Sequence, residues 1–529
     1  MLQPSLVAAQ EADGIRAKVA GKGMLYIAGG GTRGTARFEE FVSLVPGDRV
    51  IAVFVAADSD GDLKEAIGDS GVADDDIPEE GTREFERMVE TNIGGISTLQ
   101  KLKAAGISNV IVMHTRSRTV ADSADFADRL DDVDGIWFVG GYQSRYSAAY
   151  DGTRTLQKMH KLLQRGGVIG GSSAGASIQG DYHLGGGKYK QGFRFLTHSV
   201  IGQHIDARDR ETTSIVDILS SGYERFLGIG IGENTAVEVK GDSFSVKGTS
   251  YVFVYHPSEG MGRIDMLAPG AAYNTQQRLP DLNASASEEL KPGVKNTDRF
   301  GLGWLDSRLN TTSGQLFHFH QNGKRLPIEI SATGHLIDSD DEVELWLNGR
   351  AFGHLAETKS VSGDGRSNSF RIPAHYLQEG VNTVLFKQDD RDSNSWGVTD
   401  LLIKQVDGFP ITTVTLDFGK RNEKRFGHRW PDCDVEISTT LFAQFINETK
   451  AQRRVLSVTG YDIDQGREVE VFVNGHRLGS LSEGADKEVS VRDSFTIPAK
   501  LQLPGQNEIL IRQCKKMIYP WGVQDLLVE

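Results

Sequence analysis

Cysteine is scarce in this chain of 529 residues, which contains only Cys433 and Cys514, both in the last quarter. Two cysteines are too few for the disulfide framework that holds many small secreted domains together. No Cys-x-x-Cys pair and no His-Cys cluster indicates a zinc site. A single bond between the two cysteines and a pair of free thiols both stay open.

Long apolar runs and basic patches are also missing. No run approaches the roughly 20 apolar residues that a membrane-spanning helix needs, so no membrane partner is expected. The net charge is −14 and Lys and Arg form no local cluster, which argues against a nucleic acid partner. An acidic surface does suit a cationic substrate. At about 100–200 residues per domain, the length predicts three or four domains.

Short aliphatic runs alternate with amphipathic stretches between residues 23 and 266. Five runs end in Gly or small residues and are predicted as strands buried on both faces: Met24–Ala28, Val50–Ala57, Asn109–Met113, Gly135–Val139 and Gly167–Gly170. Arg154–Gln164 places four large apolar residues on one helical face, and Gly166 and Gly167 follow as a stop. The alternation predicts an α/β domain with a mostly parallel sheet and flanking helices, after an N-terminal segment over residues 1–22.

The second half of the chain contains a duplication. Residues 267–300 are rich in Pro, Ala, Asn and Ser and are predicted to form a linker. Four blocks then recur in the same order 125 or 126 residues later: Ile337-Asp338 as Ile463-Asp464, Glu342–Gly349 as Glu468–Gly475, Ser369–Ala374 as Ser494–Ala499, and Trp396–Leu402 as Trp521–Leu527. The second block alternates in polarity and ends in Asn-Gly, which is typical of a strand entering a hairpin. We predict two β-sandwich modules of the jelly-roll type, over 301–408 and 409–529.

The strongest local signal for chemistry is Gly171-Ser172-Ser173-Ala174-Gly175, which directly follows the apolar pair Val168-Ile169. A G-x-S-x-G pattern after a strand predicts a nucleophile elbow, a tight strand-to-helix turn that lifts the central serine out of the sheet. The flanking residues are all small, as a crowded turn requires. A flexible Gly/Ser loop is the alternative, but the preceding strand favours the elbow.

A serine nucleophile needs a base, and the base needs a carboxylate that orients it. His204 lies in the segment Val200–Ile205 at the end of an apolar run, and Glu233 lies in the Gly-rich segment Gly228–Ala236. A single His after a strand is usually structural, and a single Glu in a Gly-rich turn is usually solvated. Because the chain has 13 His residues, composition does not select His204.

A resemblance to a known family does select these residues. It rests on four segments in the same order: Gly140–Gln143, Gly170–Ala176, Gly202–Arg210 and Gly228–Ala236. They are similar to the G-G-x-Q, G-G-[ST]-S-A-G-A, D-Q-H-F-x-x-R-x-R and G-I-G-I-D-E-x-T-A segments of the cyanophycinase branch of the dipeptidase-E-like serine peptidases. The resemblance covers about residues 20–265 and implies a class I amidotransferase-like, flavodoxin-like arrangement of the α/β domain.

The resemblance also implies a role for each matched residue. Ser173 is expected to be the nucleophile, His204 the general base and acid, and Glu233 the orienting carboxylate. The amides of Ala174 and Gly141 are expected to bind the oxyanion. Four further matched residues are expected to line the substrate pocket: Gln143, Gln203, Arg208 and Arg210. No metal or organic cofactor is expected for catalysis.

Four positions depart from the family pattern. Tyr142, Gly202 and Gly232 stand where the family has Asp, and Thr213 stands where it has a third arginine. Because carboxylates bind cations, their loss weakens the expectation of an arginine-bearing substrate. The expected reaction is hydrolysis of a peptide-type amide at a β-linked aspartyl unit, with cyanophycin cleaved to β-Asp-Arg as the leading substrate. The alternatives are an aspartyl or isoaspartyl dipeptidase with another substrate, and a catalytically silent carbohydrate-binding protein.

The sandwich modules carry weaker signals. Four carboxylates in the repeated blocks are candidate Ca²⁺ ligands: Asp338, Asp400, Asp464 and Asp525. A carbohydrate ligand, a homodimer and a secreted or periplasmic location are further expectations, the last because such modules are common on exported bacterial hydrolases. The competing interpretation is that Trp396 and Trp521 are core residues and that the Asp side chains cap turns.

Overall fold

The structure is a computed structural model. It describes residues 17–31, 34–58, 63–65, 67, 73, 77–79, 82–92, 97–185, 188–206, 215, 226–256, 263–304, 306–307, 314–321, 326–339, 342–358, 365–372, 374–388, 395–406, 413–437, 440–447, 452–464, 468–473, 476–502, 505–513 and 520–529. The chain divides into two compact units, the first reaching Ser287 and the second beginning at Glu288. None of the helices in the described ranges is both long and apolar enough to span a membrane.

The first unit contains both sheets and helices. Its strands are β1 Lys18–Val19, β2 Met24–Ala28, β3 Ile51–Phe54, β4 Val110–Met113, β5 Gly135–Phe138, β6 Val168–Ser172, β7 Tyr182–Gly185, β8 Lys188–Gln191, β9 Leu196–Thr197, β10 Ser199–Gln203, β11 Leu227–Ile231, β12 Thr235–Lys240, β13 Ser243–Gly248, β14 Val252–His256, β15 Arg263–Leu267, β16 Ala272–Asn274 and β17 Leu279–Asp281. Its helices are α1 Ala36–Leu44, α2 Arg83–Asn92, α3 Ser97–Ala104, α4 Arg118–Ala121, α5 Ala124–Ala127, α6 Gln143–Tyr150, α7 Arg154–Gln164 and α8 Ala174–Ser177, with a 3₁₀ turn at Asp128–Leu130.

A nine-stranded sheet organises the first unit, in the order β17-β16-β13-β12-β2-β6-β5-β3-β4. Strands β2, β6, β5, β3 and β4 run parallel, which agrees with the α/β prediction. The other four strands are antiparallel to their neighbours. The prediction of a mostly parallel sheet is therefore corrected to a mixed sheet with a parallel core, because two hairpins extend one edge.

Both faces of this sheet are covered. Along β2, Leu25 and Ile27 point into one apolar cluster and Tyr26 and Ala28 into another, as the two-residue period of a strand requires. Helix α7 spans the predicted residues and buries its apolar face. It begins at the Thr153 cap, whose hydroxyl accepts the amide of Leu156. The short aliphatic strands are thus buried because helices lie on each side.

A second, six-stranded sheet in the first unit has the order β15-β14-β11-β10-β7-β8. Strands β10 and β11 are parallel neighbours in which Gln203 is paired with Ile231. The residues that follow these two strands therefore emerge side by side at one edge of the sheet.

The predicted linker over residues 267–300 is not a separate segment. Strands β16 and β17 lie in this range and complete the nine-stranded sheet. Glu288 and Glu289 pair instead with a strand of the second unit. Composition alone suggested a linker because these strands are only two or three residues long and lack a clear alternation.

The second unit consists of the two repeats. The first contains β18 Glu288–Glu289, β19 Phe300–Leu302, β20 Gly314–Gln321, β21 Ile328–His335, β22 Val343–Leu347, β23 Arg350–His354, β24 Arg366–Ile372, β25 Gly380–Gln388 and β26 Trp396–Gln405, with a 3₁₀ turn at Ala374–Tyr376. The second contains β27 Thr413–Thr415, β28 Phe426–His428, β29 Val435–Glu436, β30 Thr440–Asn447, β31 Arg454–Tyr461, β32 Val469–Val473, β33 His476–Ser480, β34 Val489–Ile497, β35 Gly505–Gln513 and β36 Trp521–Val528, with a 3₁₀ turn at Ala499–Leu501.

The repeats share one strand arrangement. One sheet has the order β18-β20-β25-β22-β23 in the first repeat and β27-β30-β35-β32-β33 in the second. The other sheet has the order β19-β26-β21-β24 in the first repeat and β28-β36-β31-β34 in the second, where β29 adds a fifth strand beside β28. In the second repeat, apolar residues of both sheets share one cluster, which makes it a sandwich. Trp396 and Trp521 are fully buried, as the core interpretation expects.

The glycine of each Trp-Gly-Val block has a packing role. A Cβ atom on Gly397 would lie 2.2 Å from Cε3 of Trp304, and one on Gly522 would lie 2.3 Å from Cε3 of Trp430. Trp304 stacks on the ring of His335, with ring centroids 4.4 Å apart, and Trp430 stacks on the ring of Tyr461, with ring centroids 4.3 Å apart. The glycine thus leaves room for the stacked pair.

We expect Gly522→Ala to destabilise the second repeat by about 1–3 kcal/mol, because the added methyl group overpacks Trp430. Hydrogen exchange of the amides in β31 and β36 measures this local loss. In a Trp430→Ala background the same substitution should cost much less, since the clash partner is gone. Equal costs in the two backgrounds would contradict this packing role.

Candidate active site

Ser173 lies in a strained turn between β6 and α8. Its backbone has φ 56° and ψ −116°, a conformation that non-glycine residues rarely adopt and that a nucleophile elbow requires. The flanking glycines are needed for space. A Cβ atom on Gly171 would lie 2.4 Å from the carbonyl oxygen of Gly175, and one on Gly175 would lie 2.2 Å from that of Phe138. The small flanks therefore allow the turn to close.

His204 follows β10 and faces this serine. Its Nε2 atom lies 2.8 Å from Oγ of Ser173, and its Nδ1 atom lies 2.8 Å from Oε1 of Glu233. A carboxylate can only accept hydrogen bonds, so Nδ1 carries the ring proton and Nε2 accepts the hydroxyl proton of Ser173. The imidazole is 6% exposed. The structure thus brings together the three residues predicted as nucleophile, base and orienting carboxylate.

Glu233 reaches His204 because their strands are neighbours. It follows β11, which runs parallel to β10, so both side chains emerge at the same sheet edge. The next residue, Asn234, donates its amide to the carbonyl oxygen of Gly30 at 2.9 Å. The Glu233 side chain remains 31% exposed, so solvent can reach it.

A glycine loop after β2, which sequence reasoning missed, encloses the imidazole. The carbonyl oxygen of Gly29 accepts the amide of His204 at 3.0 Å. A Cβ atom on Gly30 would lie 2.0 Å from Cε1 of His204, and one on Gly31 would lie 2.6 Å from Oε2 of Glu233. The available signal was the run of three glycines directly after a buried strand, which indicates close approach of another group.

Tyr146 is a second residue that the sequence did not single out. It is fully buried on helix α6, and its hydroxyl oxygen lies 2.7 Å from the carbonyl oxygen of Phe54 and 3.0 Å from that of Val139, so the two carbonyls share its single donor. Burial raises the pKa of this phenol well above its ordinary value, so it stays a neutral donor. It thereby ties the end of β3 to the end of β5, directly before Gly140.

Ala174, one of the two predicted oxyanion residues, directly follows Ser173 at the start of α8. A Cβ atom on Gly140, the neighbour of the other predicted residue Gly141, would lie 3.9 Å from Oγ of Ser173. The assignment of the two amides of Ala174 and Gly141 to the oxyanion stays a prediction.

Two of the four predicted pocket residues, Gln143 and Gln203, lie among the residues that the structure describes. Gln203 is 4% exposed, and within the described part of the chain its Oε1 atom has no hydrogen-bond partner. Gln143 is half-buried as the first residue of α6. Arg208 and Arg210, like Thr213, lie outside the described residues. The pocket role of all four predicted residues stays a prediction.

Tyr142 gives the site an exposed aromatic ring. It is 58% exposed, and the guanidinium of Arg145 lies 4.9 Å from the ring centroid. The tyrosine amide donates to the carbonyl oxygen of Ala57 at 2.8 Å. An aromatic residue with a neighbouring cation thus stands where the family pattern has a carboxylate.

The four predicted Ca²⁺ ligands lie in the two repeats, with Asp338 and Asp400 in the first and Asp464 and Asp525 in the second. Asp400 bonds Lys295 at 2.9 Å, and the amides of Asp338 and Asp464 donate to Glu342 and Glu468. Among the described residues, Asp464 is the only one of the four that belongs to a group of three or more possible metal ligands, together with Asp462 and Asp486. Ca²⁺ binding stays a prediction. Cys433 is half-buried and Cys514 lies outside the described residues, so their pairing stays open.

A comparison with known protein families finds a match within the first unit. Residues 97–247, which include the whole Ser173–His204–Glu233 constellation, match the family described as Peptidase family S51. This part of the first unit is therefore similar to peptidase family S51. The S51 match begins after α2 and ends within β13, so it excludes the glycine loop and both sandwich repeats.

The chain is also similar to curated cyanophycinases. The cyanophycinase of Synechococcus elongatus is 27% identical over 191 residues, which are 33% of this chain and 59% of that protein. The cyanophycinase of Geminocystis herdmanii (strain PCC 6308) is 26% identical over 151 residues, 26% of this chain and 55% of that protein. The chain therefore spans less than two thirds of the length of these relatives. A solved peptidase from an acI-B1 Actinobacterium is 18% identical, with a TM-score of 0.36, and covers 49% of this chain and 98% of its own.

We expect Gly30→Ala to lower the reactivity of Ser173 toward a fluorophosphonate by about 100-fold or more, because the methyl group would displace the imidazole. Gly34→Ala is the matched control. Gly34 also has a positive φ, but a Cβ atom there would meet nothing within 4 Å. Mass spectrometry of the labelled protein measures both rates, and similar losses in the two variants would contradict a specific role of Gly30.

Proposed function

We propose that the first unit is a serine-type peptidase in which Ser173 attacks a peptide-type amide carbonyl. The observation that carries this proposal is the position of His204, which lies 2.8 Å from both the hydroxyl of Ser173 and the carboxylate of Glu233. Nucleophile, base and orienting group are then connected in the order that acyl transfer requires.

The chemistry follows from these hydrogen bonds. His204 accepts the proton of Ser173 as Oγ attacks, and Glu233 stabilises the imidazolium that forms. The amine leaves with the proton from His204, which produces an ester on Ser173. Water then attacks this ester with His204 again acting as base. Each step uses groups that this chain supplies, and the amides of Ala174 and Gly141 are the proposed donors to the oxyanion.

The proposed substrate is a β-linked aspartyl amide, with cyanophycin cleaved to β-Asp-Arg as the first choice. Two curated relatives carry the name cyanophycinase, and the four family segments are present in order. Gln203 supports a polar pocket, because a buried carboxamide oxygen next to His204 is suited to accept a hydrogen bond from a substrate N–H.

A dipeptidase acting on another aspartyl or isoaspartyl substrate is the second candidate. Tyr142, Gly202 and Gly232 lack the carboxylates of the family pattern, so three groups that could bind the arginine side chains of cyanophycin are missing. The exposed ring of Tyr142 next to Arg145 favours a substrate with a planar or anionic group at this place.

We also propose a finer fold class for each unit. The parallel core with the nucleophile directly after β6 supports a class I amidotransferase-like, flavodoxin-like arrangement, and the paired sheets of the repeats support a jelly-roll-like sandwich. Ca²⁺ or carbohydrate binding by the repeats, a homodimer, and secretion or a periplasmic location stay predictions. Trp396 and Trp521 are too deeply buried to serve as a sugar-binding platform.

Incubation of the wild type and Ser173→Ala with insoluble cyanophycin, with β-Asp-Arg and with other isoaspartyl dipeptides tests the proposal. We expect mass spectrometry to detect β-Asp-Arg released from the polymer by the wild type alone. Cleavage of dipeptides only would favour the second candidate. If no substrate is cleaved in a Ser173-dependent way, the peptidase proposal fails and the silent binding protein gains support.

We further expect Glu233→Gln to lower kcat by about 10²- to 10⁴-fold with a smaller change in KM, because an amide favours the wrong imidazole tautomer. Steady-state kinetics on whichever substrate is cleaved measure this effect. Glu238→Gln on β12 is the matched control, since that side chain pairs with Lys247. A kcat within about twofold of wild type for Glu233→Gln would contradict the assigned role.

A further inference from the structure

A second carboxylate lies directly behind the catalytic residues and takes no part in the steps above. Asp206 follows His204 by two residues and is 5% exposed. Its Oδ1 atom accepts the backbone amide of Glu233 at 2.8 Å, and its Oδ2 atom accepts the hydroxyl of Ser250 at 2.5 Å. A buried carboxylate is costly unless it is hydrogen-bonded, and one of these bonds goes directly to the backbone of Glu233.

The end of β10 is therefore tied to Glu233 twice. His204 holds the side-chain carboxylate of Glu233 at 2.8 Å, while Asp206 holds the backbone amide of the same residue. Hydrogen bonds from an amide to an ionised acceptor are about twice as strong as neutral ones. The two hydrogen bonds fix the carboxylate and the backbone of Glu233 relative to the imidazole.

The opposite side of the Glu233 peptide is held as well. Thr235 donates its hydroxyl to the carbonyl oxygen of Glu233 at 3.1 Å, and the same Thr235 oxygen accepts the amide of Ser250 at 2.7 Å. Thr235 and Ser250 are fully buried. Asp206, Ser250 and Thr235 thus form a chain of hydrogen bonds that encloses the Glu233 peptide from its amide to its carbonyl.

Gly232 is glycine because this arrangement occupies its side-chain space. A Cβ atom there would lie 2.5 Å from Oγ of Ser250 and 2.7 Å from Oδ2 of Asp206. Its φ is not positive, so the requirement is for space and not for an unusual backbone conformation. Asp206 can occupy this position only because Gly232 has no side chain.

We propose that Asp206 is a positioning residue that holds the peptide of Glu233 so that its carboxylate meets Nδ1 of His204. This inference rests on the proposed serine peptidase function. Asp206 acts through Glu233 and touches no reacting atom, so its removal slows the attack of Ser173 without changing how a reagent binds.

The experiment measures the rate at which a fluorophosphonate labels Ser173, which needs no knowledge of the substrate. We expect Asp206→Ala to lower the maximal labelling rate by about 10- to 100-fold, because small misplacements of catalytic groups have effects of this size. The reagent concentration that gives half the maximal rate should stay unchanged. Asp206→Asn can still accept the Glu233 amide, so we expect it to recover most of the lost rate.

The matched control is Asp134→Ala. Asp134 also accepts a backbone amide, that of Val50 at 3.0 Å, but it precedes β5 and therefore lies at the opposite edge of the nine-stranded sheet. We expect wild-type labelling from this variant. Should Asp206→Ala not fold, as thermal unfolding will show, Ser250→Ala removes only the donor to Oδ2 and should still lower the rate.

Labelling of Asp206→Ala at the wild-type rate would overturn the inference, and so would an Asp206→Asn variant as slow as Asp206→Ala. If Asp206→Ala does not fold, a wild-type rate for Ser250→Ala would overturn it. A wild-type protein that is not labelled at Ser173 would instead overturn the proposed function, so the two failures are distinguishable.

Discussion

The imidazole of His204 is bonded on both of its nitrogens, and the rest of the site depends on this arrangement. Its two partners come from different sheets, since Ser173 follows β6 of the nine-stranded sheet and Glu233 follows β11 of the six-stranded sheet. A small shift of either sheet would break one of the two 2.8 Å contacts. The fold of the first unit therefore has to hold the ends of β6 and β11 at a fixed separation.

Glycine and buried hydrogen bonds provide this fixed separation. Gly30 and Gly31 let the end of β2 touch the imidazole and the Glu233 carboxylate, while Gly171 and Gly175 let the elbow close. Each of these positions excludes a methyl group because of a nearby atom. Tyr146 then ties the ends of β3 and β5. Small residues thus set the distances, and buried polar groups keep them constant.

Sequence patterns were sufficient for the local elements but not for their partners. The elbow, helix α7 and the parallel core were predictable, because strand periodicity and the spacing of Gly and Ser are local signals. His204 and Glu233 needed the family resemblance, since 29 residues and a change of strand separate them. Asp206, Tyr146 and the Gly29–Gly31 loop were missed because their roles arise only when distant segments meet. The short strands β16 and β17 were missed because they have too few residues for a period.

If this geometry makes Ser173 a nucleophile, the reactivity of Ser173 depends on the folded structure. Native and urea-unfolded protein are exposed to a fluorophosphonate, and the modified residue is located by peptide mass spectrometry. We expect one adduct, on Ser173, in the native protein only. An adduct on other serines at equal rates, or no adduct on Ser173 in the native protein, would contradict it.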